Sequence, residues 1–271
     1  GVWRLQNSFL RGPNWKCGQE VALRLIHYLV ALRVLGYSHA DLRSDQRDFI
    51  HQHLRRIAPT LNYAKGQKNN HWISEAVGLI VGGLWLGPRF GKNYFNKGVQ
   101  ELSSSIQCLF NTDGSFAQSS FNYLRHALTL IAIAKLEMSA DDQNCLFLDS
   151  AKLSNALFLF SHFTDEGSKT THNWGANDGS NPLSISGENF LDTSAHQGLY
   201  DFAFFGTVYD GGNSVVAGLS NVYEGLQRYL NLRSAARSTE NRIQTLFFIC
   251  TTESDTIDMY LVVRIYIDST L

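Results

Sequence analysis

The stretch KGQKNNHWISEAVGLIVGGLW, residues 65–85, places three hydrogen-bonding side chains directly before a long apolar segment. Asn69, Asn70 and His71 follow a polar, glycine-containing run, and the residues after them are apolar almost all round. A helix that is apolar on every face is normally buried, so the pattern predicts a buried helix over 71–87. Asparagine caps helix starts well, but one asparagine is enough for a cap. The adjacent histidine is therefore available for another role.

Helical periodicity continues on both sides of this stretch. It predicts further helices over 17–36 (with Gly36 at its end), 41–58, 96–111, 115–137 and 148–163. More polar and more apolar helices alternate at a spacing of roughly 25 residues, which is typical of stacked helical hairpins with an inner and an outer layer. The fold class we expect is mainly α, an incomplete (α/α) toroid or a helical solenoid.

The second half of the chain changes character. Residues 165–215 are rich in Gly, Asn, Ser and Asp and predict one long loop, which Trp174 and its apolar neighbours indicate to be ordered. A helix over 215–232 and two β-rich segments joined by a polar turn complete the pattern. We expect a toroid domain over 1–235 and a partial β-rich segment over 236–271 that begins a β-sandwich domain.

Composition limits the classes of partner. The 271 residues carry a formal net charge of -1 and are 44% hydrophobic, and no basic run indicates nucleic-acid binding. No apolar run is long enough to cross a bilayer. The start, GVWRLQNSF, has neither an initiator methionine nor a signal-peptide pattern, so we expect a cut end. The widely spaced cysteines form no C-x-x-C pair and are expected to be buried free thiols without a metal; they are Cys17, Cys108, Cys145 and Cys250.

A second group of polar side chains opens another apolar segment. It comprises Gln118, Ser119, Ser120, Asn122, Tyr123, Arg125 and His126. A lone tyrosine here would ordinarily be a core residue with its hydroxyl satisfied. Hairpins of a toroid, however, bring the starts of inner helices to one rim. We therefore predict that Asn70, His71 and Tyr123 share one cleft.

A third helix start carries Trp15, Gln19 and Glu20. The flat face of a tryptophan suits stacking against a sugar. An ordinary core tryptophan beside a capping glutamine and glutamate explains the same residues equally well. Both interpretations stay open from the sequence.

These residue types favour β-elimination over hydrolysis. Glycoside hydrolysis needs two carboxylates, and no acid pair stands out, although Glu20 and Glu75 are the pair to examine. The nine histidines are scattered, and no nucleophile elbow or phosphate loop is present. Neutral donors such as Asn and His can stabilise the carboxylate of a uronic acid while its C5 proton leaves, and one donor is worth about 10²–10³ in rate. A tyrosine suits the proton transfer, and no cofactor is needed.

The segments GPNWKCGQEVALRL, NNHWISEAVGL, DGSFAQSSFNYLRHALTL and GANDGSNPLSISGENF together resemble the heparinase II/III-like polysaccharide lyases. That family includes heparan sulfate lyases and some alginate lyases, and the resemblance covers about residues 10–195. It implies an incomplete (α/α) toroid followed by an antiparallel β-sandwich. Family members are usually much longer, so we expect this chain to be a fragment.

The resemblance also implies roles for individual residues. Asn70 would neutralise the uronate carboxylate with help from His71, and Tyr123 would be the catalytic acid, or acid and base together. The resemblance and the polar helix starts together give the expected substrate-binding residues, which are Trp15, Gln19, Glu75, Gln118, Arg125 and Asn177. Asn177 and Asp178 would shape the cleft or form only a turn. A further catalytic His or Tyr comes from the β-domain in the family, and neither His172 nor His196 has a motif that identifies it.

The expected partner is an acidic polysaccharide. Because no dense basic patch is evident, a weakly charged uronate polymer such as alginate or a bacterial surface glycan is favoured over heparin. The resemblance implies a periplasmic or secreted protein, and the oligomeric state stays open. Two alternatives remain: a non-catalytic carbohydrate-binding or surface-polysaccharide assembly protein, and a toroid glycoside hydrolase.

Overall fold

The computed structural model describes residues 2–143, 148–165, 168, 170–183, 193–205, 247–252 and 257–262. Its helices are α1 Val2–Gln6, α2 Gly18–Val34, α3 Ser44–Gln67, α4 Asn70–Leu109, α5 Phe121–Glu137, α6 Ala140–Gln143, α7 Ser150–His162 and α8 Ser194–Phe205. Short 3-10 turns occupy Pro13–Trp15 and His39–Asp41, and two strands are β1 Phe247–Thr252 and β2 Ile257–Val262. The predicted mainly helical class is confirmed.

Helices α2 and α3 show how the sequence pattern becomes packing. In α2 the predicted apolar face is buried, with Leu25 and Leu29 fully inaccessible to solvent. In the more polar α3, Leu54 and Ile57 are fully buried while most charged side chains point outward. Each fully buried Leu or Ile contributes about 1.5–3 kcal/mol relative to an exposed one. The helix predicted over 41–58 is therefore amphipathic, and it extends to Gln67.

Helix α4 is a hairpin of two helical arms, 70–86 and 88–109. Gly87 has φ 75° and ψ 173°, which only glycine adopts without strain, and Pro88 follows it without a backbone N–H. The chain turns there, and the arms pack so closely that a Cβ on Gly91 would overlap the carbonyl oxygen of Gly83. The separate helices predicted over 71–87 and 96–111 are thus two sides of one tightly packed hairpin.

The first arm of α4 is the centre of the hydrophobic core. It packs against α2, α3 and α5, and its residues Ile73, Val77 and Ile80 are completely buried. The prediction that this stretch is buried on all sides is confirmed. Its start, which carries the Asn-Asn-His triplet, is consequently held at a fixed position between α2 and α5.

Two predicted boundaries were wrong. Residues 115–120 are not helical, because α5 begins at Phe121 with the Ser120 hydroxyl accepting the N–H of Tyr123 at 3.3 Å. The loop predicted over 165–215 contains α8, whose Tyr200 is fully buried and bonds to Thr129 of α5 at 2.9 Å. The helical spacing of the apolar residues in α8 was obscured by the Gly- and Asn-rich residues before it.

The C-terminal predictions are only partly within the described ranges. Strands β1 and β2 pair antiparallel, with Phe247 opposite Val262 and Thr252 opposite Ile257. The helix predicted over 215–232 and the domain boundary at 235 lie outside the described residues. The β-sandwich domain stays a prediction.

The cysteines differ from expectation in one respect. Cys17 and Cys108 are free thiols, as predicted, but Cys108 is exposed on the second arm of α4 and Cys17 is only half-buried. The side chains of Cys145 and Cys250 lie outside the described part of the structure. Within the described ranges, no helix combines the length and the apolar character that crossing a bilayer requires.

The close approach inside the α4 hairpin predicts the effect of one methyl group. Gly91→Ala should lower the free energy of unfolding by roughly 2–4 kcal/mol, because the new Cβ meets the backbone of Gly83. Gly66→Ala is the matched control: a Cβ there meets nothing within 4 Å, and the free energy of unfolding should stay unchanged or rise by about 0.5–1 kcal/mol. Urea denaturation measures both, and equal effects of the two substitutions would contradict the hairpin packing.

Candidate functional site

The start of α4 is where three segments of the chain meet. Asn69 caps the helix by accepting the N–H of His71 at 3.0 Å, as the sequence predicted for one asparagine. Asn70 then bonds in two directions: its Nδ2 donates to Oε1 of Gln19 at 3.2 Å, and its backbone N–H donates to Oε1 of Gln118 at 2.8 Å. Asn70 therefore joins the start of α2 to the segment before α5.

The two members of the triplet that were predicted to be catalytic differ in accessibility. Asn70 is 3% exposed, and its amide is held by Gln19. His71 is half-buried and lies with Nδ1 4.0 Å from Sγ of Cys17. Of the two, His71 is the side chain that reaches toward solvent, whereas Asn70 holds the surrounding segments together.

Tyr123 is bonded to a carboxylate from the long loop. Its hydroxyl donates to Oδ2 of Asp178 at 2.7 Å, while Oδ1 of Asp178 accepts from Asn122 at 3.4 Å and from the N–H of Ser180 at 3.0 Å. Arg125 donates in turn to Oδ1 of Asn122 at 2.9 Å. The position of the Tyr123 hydroxyl is thus fixed by an exposed carboxylate that other groups orient.

Backbone bonds tie this loop to the start of α5. The N–H of Phe121 donates to the carbonyl of Trp174 at 3.0 Å, and the Ser120 hydroxyl donates to the carbonyl of Ala176 at 2.6 Å. Gly175 has φ +80°, and a Cβ there would overlap the carbonyl oxygen of Ser119. The loop can approach the helix this closely only because residue 175 is glycine.

Asp178 connects the two predicted catalytic side chains electrostatically. Burial lowers the pKa of His71 below the usual histidine value, and the nearby Asp178 carboxylate raises it in part. The same carboxylate accepts the Tyr123 hydroxyl. We define the candidate site as Asn70, His71, Tyr123 and Asp178: Tyr123 bonds to Asp178, the charge of Asp178 acts on His71, and Asn70 precedes His71 at the start of α4.

His126 is a buried link that sequence reasoning placed only in the polar helix start. Its Nδ1 lies 2.7 Å from the hydroxyl of Ser180 and its Nε2 lies 2.9 Å from the hydroxyl of Ser74. Since the Ser74 hydroxyl hydrogen is directed to the Asn70 carbonyl at 3.0 Å, Nε2 must be the donor and Nδ1 the acceptor. Burial lowers the pKa of His126 to about 3, so the ring is neutral.

Glu75 lies beneath the start of α2. It is 3% exposed, and a Cβ on Gly18 would overlap its carboxyl group. Burial raises the pKa of Glu75 to about 8, against the opposing effect of Arg56, and within the described residues its Oε2 has no hydrogen-bond partner. A carboxyl group in this position supports the helix packing and does not open into a cleft.

The remaining predicted substrate-binding residues fall into buried and exposed groups. Trp15 is 4% exposed in an aromatic cluster with Trp3, Phe9 and His53, so the core interpretation of this tryptophan is the correct one. Arg125 is likewise buried, at 2% exposure. Both side chains therefore offer little surface for the predicted direct contact with a sugar in this conformation.

Gln19, Gln118 and Asn177 have bonding roles within the protein. Gln19 is buried and Gln118 half-buried, and both accept from Asn70. Asn177 is exposed, and its Oδ1 accepts the N–H of Gly179 at 2.8 Å, which is the predicted turn role. Its Nδ2 donates to Asn173 at 2.7 Å.

The two other histidines considered from the sequence differ in position. His196 is 1% exposed and lies with Nε2 3.3 Å from Oδ1 of Asn181, whereas His172 is exposed beside Trp174. The described residues contain no group of three or more His, Cys, Asp or Glu side chains arranged to hold a metal ion.

Comparisons of the chain with protein families, with curated proteins and with solved structures find no match.

Burial of Glu75 predicts an unusual dependence of stability on pH. In the unfolded chain the Glu75 carboxyl has its ordinary pKa of 4.5, and in the folded protein its pKa is about 8. The contribution of its neutral form to stability is therefore fully present below pH 4.5 and is lost as the pH rises through about 8. Glu75→Gln keeps the neutral shape. The free energy of unfolding of the variant relative to the wild type should therefore rise between pH 5 and pH 9 by an amount on the order of 3–5 kcal/mol.

Urea denaturation at pH 5, 7 and 9 measures this difference. Asp48→Asn, which removes an exposed carboxylate of α3, is the matched control for the loss of one acidic side chain. A constant difference between Glu75→Gln and the wild type at all three pH values would contradict the buried neutral carboxyl.

Proposed function

We propose that the chain is the helical portion of a polysaccharide lyase that cleaves a uronic-acid-containing polymer by β-elimination. The observation that carries the proposal is the bond from the Tyr123 hydroxyl to Asp178, whose charge also raises the pKa of His71 in part. A phenol that is held in position can transfer a proton. An imidazole can stabilise the substrate carboxylate on which charge builds.

The proposed reaction removes the C5 proton of the uronate and breaks the C4–O4 bond. Tyr123 transfers its hydroxyl proton to O4 while the C5 proton passes to the phenol oxygen, so that the tyrosine ends the step unchanged. The electron pair of the C5–H bond forms the C4–C5 double bond, and O4 leaves with the pair of the broken bond. Before the step the phenol hydrogen is directed to Asp178, which positions the ring; it turns from Asp178 to O4 for the transfer.

His71 and Asn70 have different parts in this proposal. His71, half-buried and close to Asp178, donates to the uronate carboxylate on which charge builds during proton removal. Asn70 keeps the start of α4 against α2 and the segment before α5 through Gln19 and Gln118. A shift of about 1 Å in such an arrangement costs on the order of 10² in rate, so the positioning role is itself important.

The packing of the helices supports an incomplete (α/α) toroid as the fold. Helices α2 and α3 and the two arms of α4 form successive packed pairs, and α5 packs against α4 and α7. In this arrangement the starts of α2, α4 and α5 meet at one end, where the candidate site lies. The formal net charge of -1 favours a weakly charged uronate polymer over a densely sulfated one.

The two alternatives differ in what favours them. A toroid glycoside hydrolase would require Glu20 and Glu75 in an open cleft, and the 3% exposure of Glu75 argues against it. The burial of Asn70 and Arg125 favours a non-catalytic carbohydrate-binding protein. Elimination needs donors at the uronate carboxylate, and burial limits the number of charged or amide donors that reach it.

Ultraviolet absorbance of the unsaturated uronate, which only elimination produces, tests the proposal. The purified chain should release it from alginate, polyglucuronate, hyaluronan or heparan sulfate. Tyr123→Phe should lower the rate by at least about 10²-fold because it removes the transferred proton. Tyr63→Phe, at an exposed tyrosine of α3, is the matched control and should retain the wild-type rate.

Two outcomes would overturn the proposal. One is an unchanged rate in Tyr123→Phe. The other is the absence of any absorbance change with all four polymers, which would leave the carbohydrate-binding alternative.

A further inference from the structure

Trp174 is an exposed tryptophan in a firmly attached loop. Its side chain is 55% exposed, although a tryptophan in a soluble protein usually buries most of its surface. Its ring lies edge-on to Phe121, with centroids 6.1 Å apart, and tilted against Phe163 at 5.1 Å. The ring of His172 stacks beside it, with centroids 6.1 Å apart and an angle of 29° between the planes. The three rings leave more than half of the indole to solvent.

The backbone around Trp174 is fixed independently of its side chain. Its carbonyl accepts the N–H of Phe121, and its own N–H donates to the carbonyl of His172 at 3.0 Å. The next residue, Gly175, packs directly against Ser119 and Ser120. The exposed indole is therefore preorganised, which reduces the entropy lost when a ligand binds to it.

The indole has aromatic neighbours on the protein side, Phe121 and Phe163, and polar neighbours along its own loop. Asn173, Asn177 and Asp178 are exposed on the same loop, and Asp178 carries the bond to Tyr123. A flat aromatic face beside amide and carboxylate groups matches a pyranose ring, whose C–H face is apolar and whose hydroxyls form hydrogen bonds. A protein partner would instead be expected to meet a wider apolar patch.

We propose that Trp174 is the stacking platform of a sugar subsite adjacent to the Tyr123–Asp178 pair, and that its occupant is a pyranose ring of the polysaccharide. The inference rests on the proposed function for the identity of that polymer. It replaces Trp15, which is buried, as the tryptophan that contacts the sugar. Asn173 and Asn177, which bond to each other at 2.7 Å, carry exposed amides on the same loop as this platform.

Binding can be measured separately from elimination. In the Tyr123→Phe background, which blocks turnover, an alginate oligosaccharide and a glucuronate oligosaccharide are titrated by isothermal calorimetry. Trp174→Ala should weaken binding of the preferred probe roughly five- to tenfold, whereas Trp174→Phe should keep most of the affinity. Phe158→Ala, at a 69% exposed aromatic residue of α7, is the matched control and should bind like the parent. Circular dichroism confirms that each variant is folded.

The outcomes separate this inference from the proposed lyase activity. If the wild type releases unsaturated uronate but Trp174→Ala in the Tyr123→Phe background binds as tightly as Tyr123→Phe alone, the subsite is overturned and the lyase stands. If no elimination occurs but binding depends on Trp174, the subsite stands in a carbohydrate-binding protein. If the parent binds neither oligosaccharide, the subsite is overturned as well.

Discussion

The Asp178 carboxylate is the contact on which the arrangement of the candidate site depends. It accepts the hydroxyl of Tyr123 at 2.7 Å, and it raises the pKa of His71 against the effect of burial. Tyr123 belongs to α5 and His71 to α4, so a residue from a third segment interacts with side chains at two helix starts. Without this carboxylate, the phenol would lose its orienting partner and the imidazole the negative charge that raises its pKa.

The loop that carries Asp178 is held at several points, and buried polar groups account for most of them. His126 links Ser180 of the loop to Ser74 of α4, and His27 of α2 donates from Nε2 to the carbonyl of Pro182. Burial lowers the pKa of His27 to about 4 and that of His126 to about 3, so both rings are neutral near pH 7. Neutral imidazoles can occupy the interior without the cost of a buried charge, and their bonds to Ser74, Ser180 and Pro182 give the loop a defined position.

The sequence predicted the local features well and the long-range ones less well. The buried helix after the Asn-Asn-His triplet and the capping role of Asn69 followed from periodicity and capping chemistry, which involve near neighbours only. The bond between Tyr123 and Asp178 joins distant parts of the chain, and no local pattern could identify it. The burial of Trp15 depends on rings contributed by α1 and α3, and a core position and a sugar platform give the same local sequence.

The ionisation of His71 shows whether Asp178 lies beside both His71 and Tyr123. Nuclear magnetic resonance titration of the His71 ring in the wild type and in Asp178→Asn compares its pKa with and without the carboxylate. If Asp178 lies beside both His71 and Tyr123, the pKa of His71 must fall in the variant, because the charge that favours the imidazolium is gone. An identical pKa in the two proteins would place Asp178 away from His71 and would contradict a shared site.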